Sequence, residues 1–304
     1  MRIATIDIGT NTVLLLIAEI DDGQIQTLAY EQRTPRIGKN IDADGFIGKP
    51  AFGRVIDVFR EYQKIIEIHK PEKIIAFGTS VLREAANKDE FVITLKAETG
   101  IEVEILEGKE EAYWSYRGAV SGISDEGKIV VLDIGGGSTE ISEGTLKEVT
   151  CANSITVGAV RVSERFFRNN PPIQAEIQLA TEFVNNALTK LGKFDFTNAR
   201  LIGVAGTPTT LASIDQDLKD FNVNKISGYK LSFETINNIF KRLCSMRTEE
   251  IRELSNATEG RADIITAGTL ILLEFMKFGK FNELIVSERG VRYGIALREW
   301  EKGK

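Results

Sequence analysis

The chain has 304 residues, 42% of them apolar, a formal net charge of −6 and a single histidine, His69. The length favours two domains of about 100–200 residues each. The acidic balance argues against a broad nucleic-acid-binding face, and the lone histidine excludes His-rich zinc sites and leaves acid–base chemistry to carboxylates.

In chain order, strand and helix patterns alternate. Ile3–Ile6 and Val13–Ala18 are apolar strand segments, and Gln24–Glu31 completes a meander through the turn at Asp21-Asp22-Gly23. Val55, Phe59, Tyr62 and Ile66 share one helix face. His69, before Lys70-Pro71, reads as a helix-end surface residue. Ile74–Phe77 and Val103–Leu106 read as strands, and Lys109-Glu110-Glu111-Ala112 opens a helix running towards Val120. After Gly127 the plan begins again. Ile129–Leu132 is a strand, and alternation resumes from Thr139 and from Thr145 to Ala152. Pro171-Pro172 precedes a helix marked by Ile173, Ile177, Ala180, Val184 and Leu188. Leu201–Ala205 and Leu284–Ser287 are later strands, and Val291–Trp300 is the last helix.

The longest apolar run, near Ile264 to Met276, is broken by Thr266, Gly268, Thr269 and Glu274. It falls short of the about 20 residues that span a bilayer. With no signal-peptide pattern at the N-terminus, a cytoplasmic location is expected. Cys151 and Cys244 are far apart, outside any metal-ligand spacing, and are expected as reduced structural thiols.

The informative feature is an internal repeat. Asp7-Ile8-Gly9-Thr10-Asn11-Thr12 follows the first strand, and Asp133-Ile134-Gly135-Gly136-Gly137-Ser138-Thr139 follows the first strand of the second half. The repetition suggests duplication with the two turns facing each other. A strand–turn–strand with Gly is also an ordinary hairpin. Three consecutive glycines exceed what a hairpin needs, and they let backbone N–H groups converge on an anion. Beside a phosphate, the strand-end carboxylates Asp7, Asp133 and Glu140 would repel unless a cation such as Mg²⁺ lay between; otherwise they cap local amides. Glu110 and Glu111 suit the first turn of a helix through its dipole, yet that helix lies at the junction of the halves, so one face could look into a cleft. Arg36, Arg83, Arg261, Arg289 and Arg292 are candidate phosphate clamps, with solvated surface roles as the alternative.

At these residues the sequence resembles the exopolyphosphatase / guanosine pentaphosphate phosphohydrolase family, within the superfamily of actin, heat-shock chaperone ATPases and sugar kinases. Besides the two repeat motifs, the match includes Gly78-Thr79-Ser80-Val81-Leu82-Arg83-Glu84-Ala85 with Asn87 and Gly108-Lys109-Glu110-Glu111-Ala112. It continues with Gly158-Ala159-Val160-Arg161, Gly206-Thr207, Arg261-Ala262-Asp263 and Ser287-Glu288-Arg289-Gly290-Val291-Arg292. The resemblance implies an α/β protein of two actin-like (ribonuclease H-like) domains, with mixed sheets flanked by helices and a cleft between them. The expected domains are residues 1–118 and 119–290, with a C-terminal helix over about 291–304 that could pack back on the first.

The resemblance also implies roles. Glu111 is the expected catalytic base and Glu140 its partner for water or metal. Asp133, Glu140 and Asp7 are expected to hold Mg²⁺ or another divalent cation such as Mn²⁺. Thr10, Asn11, Thr12, Gly135, Gly136, Gly137, Ser138 and Thr139 form the expected phosphate loops, with Arg36, Arg83 and Arg261 as substrate-binding arginines. The implied activity is release of terminal orthophosphate from polyphosphate, from guanosine pentaphosphate of the stringent response, or from both. The implied ligands are polyphosphate or guanosine penta- and tetraphosphate, with neither nucleic acid nor membrane as partner; a homodimer is compatible. A non-catalytic alarmone or polyphosphate sensor and an ATPase or sugar kinase of the same fold are the alternatives.

Three departures stand out. Thr10 and Thr12 replace usual serines, Leu14 stands where some members have arginine, and Lys225-Ile226-Ser227-Gly228 lacks a histidine often found before the glycine. The chain resembles the short family form without C-terminal helical domains.

Overall fold

A computed structural model describes residues 1–124, 126–192 and 194–304. The first half forms a five-stranded sheet from β1 (Arg2–Ile8), β2 (Val13–Asp21), β3 (Gln24–Arg33), β4 (Lys73–Gly78) and β5 (Val103–Ile105), ordered β3-β2-β1-β4-β5. The second half forms a six-stranded sheet from β6 (Ile129–Ile134), β7 (Thr139–Gly144), β8 (Val149–Ile155), β9 (Arg200–Val204), β10 (Lys230–Ser232) and β11 (Glu283–Val286), ordered β10-β11-β9-β6-β7-β8. Both sheets place an antiparallel three-stranded meander beside parallel strands. Apart from the edge strand β10, the two have the same plan. The repeat in the sequence is therefore a repeat in topology, and the fold is a pair of similar α/β domains, each a mixed sheet flanked by helices.

Strand alternation explains how each sheet is covered. Ala4, Ile6 and Ile8 of β1, with Val13, Leu15 and Ile17 of β2, face the Lys49–His69 helix, which buries Val55, Phe59, Tyr62 and Ile66 on one side. The intervening Ile3, Leu16, Ala18 and Ile20 face Tyr293, Ala296 and Leu297 of the Val291–Glu301 helix. In the second half, Val130, Leu132 and Ile134 of β6 join a core that includes the Ile265–Gly279 helix, buried on every side over Ile265–Met276. That burial absorbs the longest apolar run of the sequence. Ile129 and Val131 instead meet Tyr116, Ala119 and Val120 of the Gly108–Val120 helix.

The inner face of each sheet is thus covered by one of two crossover helices, and these helices touch each other. A Cβ on Gly118 would lie 2.1 Å from the Gly290 carbonyl oxygen, and one on Gly294 would lie 1.8 Å from the Trp114 carbonyl oxygen. Only glycine allows backbones to approach so closely. The crossing carries Glu111 and Arg292 to the groove between the sheets. No helix among the described residues is long and apolar enough to cross a membrane.

Candidate active site

The two repeated turns have the same local geometry. Gly9 N–H donates to the Thr12 carbonyl at 2.9 Å, and Gly135 N–H donates to the Ser138 carbonyl at 3.0 Å. Each turn follows a strand whose penultimate residue is the aspartate, Asp7 or Asp133. Carbonyls of each turn are held from behind by later backbone amides. Arg36 N–H reaches Asn11 and Gly38 N–H reaches Thr10, while Ala159 N–H reaches Gly135 and Val160 N–H reaches Gly136.

The turns meet across the groove. A Cβ on Gly136 would lie 2.8 Å from Thr10 Cβ, and one on Gly137 would lie 2.5 Å from Ser80 Oγ. None of Gly135, Gly136 and Gly137 has a positive φ. Their requirement is space, not the left-handed conformation of an ordinary hairpin glycine. Between the halves lies a cavity of about 570 Å³, walled by both turns, Asp7, Glu111, Asp133, Arg261 and Arg292.

Glu111 lies on the cavity wall and is 7% exposed. Its carboxylate accepts from Arg83 Nη1, which also donates to the Leu106 carbonyl at 2.9 Å. Arg83 Nη2 reaches Ser138 Oγ at 3.4 Å, so one guanidinium ties the glutamate to the second glycine turn. Arg83 therefore acts from behind the wall. Ser115, one helical turn after Glu111, donates to Asp133 Oδ2 at 2.6 Å. The i, i+4 spacing of Glu111 and Ser115 was readable as one helix face pointing at the site.

Several expected residues occupy different positions from those anticipated. Glu140 is 1% exposed and is not on the wall; Oε1 accepts from Ser138 Oγ at 2.6 Å and Ser154 Oγ at 2.7 Å. Its antiparallel partner is Asp133, it sits behind Ser138, and its Oε2 is buried without a hydrogen-bond partner. Thr139 also points away, its hydroxyl donating to the Val157 carbonyl at 2.6 Å. Arg36 is committed to Asp263 at 2.7 and 3.1 Å and does not line the cavity, so it closes the rim instead of binding inside. Asn11 lines the cavity but also spans it, donating from Nδ2 to the Gly260 carbonyl at 3.2 Å. Arg261 lies against Gly206 at the start of the Gly206–Asp215 helix. Leu14 lies on the cavity wall, whereas Ser227 does not.

Arg292, one of the five candidate clamps in the sequence, was not among the three arginines expected to bind substrate. It lines the cavity at 6% exposure, packs over the Tyr30 ring at 4.8 Å and leaves Nη1 without a partner. Its flanking glycine, Gly290, was a signal, but a terminal arginine beside glycine reads equally well as surface.

The electrostatics follow from crowding carboxylates in a buried groove. Burial pushes Asp7 up to about 7, with Arg292 opposing and Asp133 adding to the rise. Glu140 is likewise pushed to about 7, by burial first and then by Asp133. Burial, then Glu140, raises Glu111 well above the usual glutamate value against the pull of Arg83. Burial raises Asp133 too, against its hydrogen bond from Ser115.

Such a cluster favours a cation. Asp7 Oδ1 is buried without a hydrogen-bond partner, and Asp7 and Asp133 both line the cavity. Among the described residues no three His, Cys, Asp or Glu side chains form a metal cluster. One or two carboxylates with water and phosphate oxygens suit Mg²⁺, which dehydrates reluctantly. The residues present therefore fit a hydrated divalent ion.

A model of the Ppx/GppA phosphatase family matches residues 16–302. The chain is 34% identical over 307 residues to a bifunctional 3-dehydroquinate synthase/phosphatase of Fusobacterium nucleatum; the match covers 97% of this chain and 46% of that protein, so this chain spans about half of that relative. It is 32% identical over 312 residues to exopolyphosphatase 2 of Mycobacterium tuberculosis, covering 97% and 98% of the two chains. The solved Ppx/GppA family member of Aquifex aeolicus superposes with a TM-score of 0.84 at 32% identity, covering 100% of this chain and 99% of the other. An exopolyphosphatase from Cytophaga hutchinsonii superposes with a TM-score of 0.91 at 28% identity, covering 99% and 98%.

Proposed function

The chain belongs to the Ppx/GppA phosphatase family, and we propose that it is a phosphoanhydride hydrolase releasing terminal orthophosphate from inorganic polyphosphate. The observation that carries this reading is Glu111, buried on the cavity wall and tied by Arg83 to the glycine turn at Ser138. The name of the tuberculosis relative, exopolyphosphatase 2, supports the substrate class.

In the proposed reaction Glu111 orients a water against the terminal phosphorus and takes its proton. A bond forms between the water oxygen and phosphorus as the bridging P–O bond breaks, and the shortened chain leaves with that oxygen. A loose phosphoryl-transfer transition state asks mainly for positioning and charge neutralisation. Backbone amides of Thr10–Thr12 and Gly136–Ser138, with Arg261 and Arg292, would supply both. Asp7 and Asp133 would hold Mg²⁺, which neutralises phosphoryl oxygens when bound. The raised affinity of Glu111 for a proton suits a base.

Guanosine pentaphosphate is a second proposed substrate, favoured by an aromatic end to the same cavity. Tyr30 and Phe221 both line it, with rings 6.4 Å apart and 6° from parallel. Both rings are exposed, at 37% and 44%, and offer apolar surface to a planar base beside them.

The deciding experiment measures phosphate release from polyphosphate and from guanosine pentaphosphate across a Mg²⁺ titration, with Glu111→Gln beside the wild type. Loss of a general base should lower kcat by about 10²–10⁴-fold. Near-wild-type turnover by the variant would remove Glu111 from this role. Tight binding of guanosine tetraphosphate with no hydrolysis of any phosphoanhydride would replace the hydrolase by a sensor.

A further inference from the structure

Arg161 opens the Ala159–Phe166 helix behind the second glycine turn and does not line the cavity. It is 5% exposed, and each part of its side chain is engaged. Nε donates to the Gly137 carbonyl at 2.9 Å. Nη1 donates to Asp42 and Nη2 to Glu84, two carboxylates of the first half. The other oxygen of Glu84 accepts from Ser80 Oγ at 2.9 Å. Ser80 Oγ in turn is the atom against which Gly137 packs. The contacts close a ring, Gly137 to Arg161 to Glu84 to Ser80 and back to Gly137, crossing the groove twice.

We propose that Arg161 is a positioning residue that fixes the peptide between Gly137 and Ser138 and makes its orientation depend on contact with the first half. The proposal rests on the hydrolase reading for its kinetic consequence only. The peptide is planar, so holding the Gly137 carbonyl towards Arg161 directs the Ser138 N–H the opposite way. Gly137 is otherwise free to rotate, having no side chain. A charge-assisted bond from a buried guanidinium is among the strongest means of restricting it.

The dependence on the first half has an electrostatic origin. A buried guanidinium stripped of its carboxylates is strongly unfavourable. Asp42 and Glu84 supply the negative charge, and Arg165 balances the excess by a second pair of bonds to Asp42. Burial pushes Asp42 up, but Arg165 and Arg161 outweigh it and hold this carboxyl below its ordinary value. The pair therefore stays ionised at neutral pH. Separation of the halves would remove both anions from Arg161 and release the Gly137 carbonyl at the same time. A purely structural ion pair would tie the halves together without acting on the turn, and Arg165 is such a pair: it binds Asp42 and makes no contact with the turn.

The test compares Arg161→Lys, Glu84→Gln and Arg165→Gln by hydrogen exchange without ligand and by steady-state phosphate release from polyphosphate. In Arg161→Lys, exchange in the segment 135–138 should quicken by about tenfold as local opening is favoured. Misplacement of the turn should lower kcat by about ten- to a hundredfold, with KM little changed. Glu84→Gln should show the same pattern more weakly, and it serves alone should Arg161→Lys fail to fold. Arg165→Gln should leave both readouts near wild type. Unchanged exchange in 135–138 for the variant used, or an equal effect from Arg165→Gln, would overturn the proposal. A wild type that releases no phosphate from polyphosphate would sink the hydrolase reading, while the exchange measurement still decides the role of Arg161.

Discussion

Thr10 and Gly136 come from opposite halves of a duplicated fold, yet the Gly136 backbone packs so tightly against the Thr10 side chain that a methyl group on Gly136 would lie 2.8 Å from Thr10 Cβ. The contact brings the two glycine turns together on the wall of one cavity. Gly136→Ala should therefore push the turns apart. Overpacking of this kind destabilises by about 1–3 kcal/mol, and misplacement of the turn should reduce phosphate release by about 10²-fold. Thr10→Gly in the same chain should restore part of the stability. Urea unfolding and an orthophosphate assay on the single and double variants check both effects; independence of the two positions would remove the contact as the cause.

Arg83 holds Glu111 while also reaching Ser138. Arg83→Met would leave the Glu111 carboxylate buried and unpaired. Breaking such a pair costs about 3–5 kcal/mol. Adding Glu111→Gln should recover a large share of that stability without recovering activity. Thermal or urea unfolding of the four proteins in a double-mutant cycle measures the coupling, and additive losses would mean that the pair is not coupled.

The carboxylate cluster sets a pH dependence. Burial raises Asp7 and Glu140 to about 7, and raises Asp133 and Glu111 as well. The folded metal-free protein therefore holds protons that the unfolded chain has already released. The contribution of these groups to stability is full below about pH 4 and is lost as the pH rises towards about 7. A divalent cation on Asp7 and Asp133, as proposed, would compete with those protons and stabilise the ionised state. The rise in Tm on adding Mg²⁺ should thus be small near about pH 5 and grow up to about pH 8. Melting curves with Mg²⁺ and with chelator at constant ionic strength test this, and a Mg²⁺ shift independent of pH would argue against metal on these carboxylates.

Ala205 lies on the cavity wall immediately before the Gly206–Asp215 helix, with φ 68° and ψ −164°. That region is essentially reserved for glycine, and an alanine held there stores about 1–3 kcal/mol. Ala205→Gly should raise stability by about 0.5–2 kcal/mol after the greater entropy of glycine in the unfolded chain is counted. The midpoint of urea unfolding at unchanged m-value provides the check. A lower midpoint would mean that the alanine methyl stabilises more through packing than its backbone loses.

Much of the scaffold was readable because its signals are local. Val55, Phe59, Tyr62 and Ile66 share a helix face by spacing alone, and all four are buried in the Lys49–His69 helix. The alternation of β1 and β2 sends neighbouring residues to different cores. The Gly206–Asp215 and Phe233–Cys244 helices and the short β10 went unread, since their patterns compete with turn residues such as Pro208 or span only three positions. At the candidate site the Asp-Ile-Gly repeats marked the wall, but they could not distinguish Ser138, which faces the cavity, from Thr139, whose hydroxyl turns to Val157.

By itself the sequence determined the duplicated strand–turn–strand units, their aspartates and their glycines, because strand period and turn space are properties of a few adjacent residues. The tertiary structure alone decided which charges reach the groove. Arg36 and Arg292 lie 256 positions apart and look equally plausible as clamps; the first is spent on Asp263 at the rim, the second is drawn inward when the Val291–Glu301 helix crosses the Gly108–Val120 helix at paired glycines. A guanidinium's destination depends on where whole helices dock, and that docking is set by surfaces far apart in the chain.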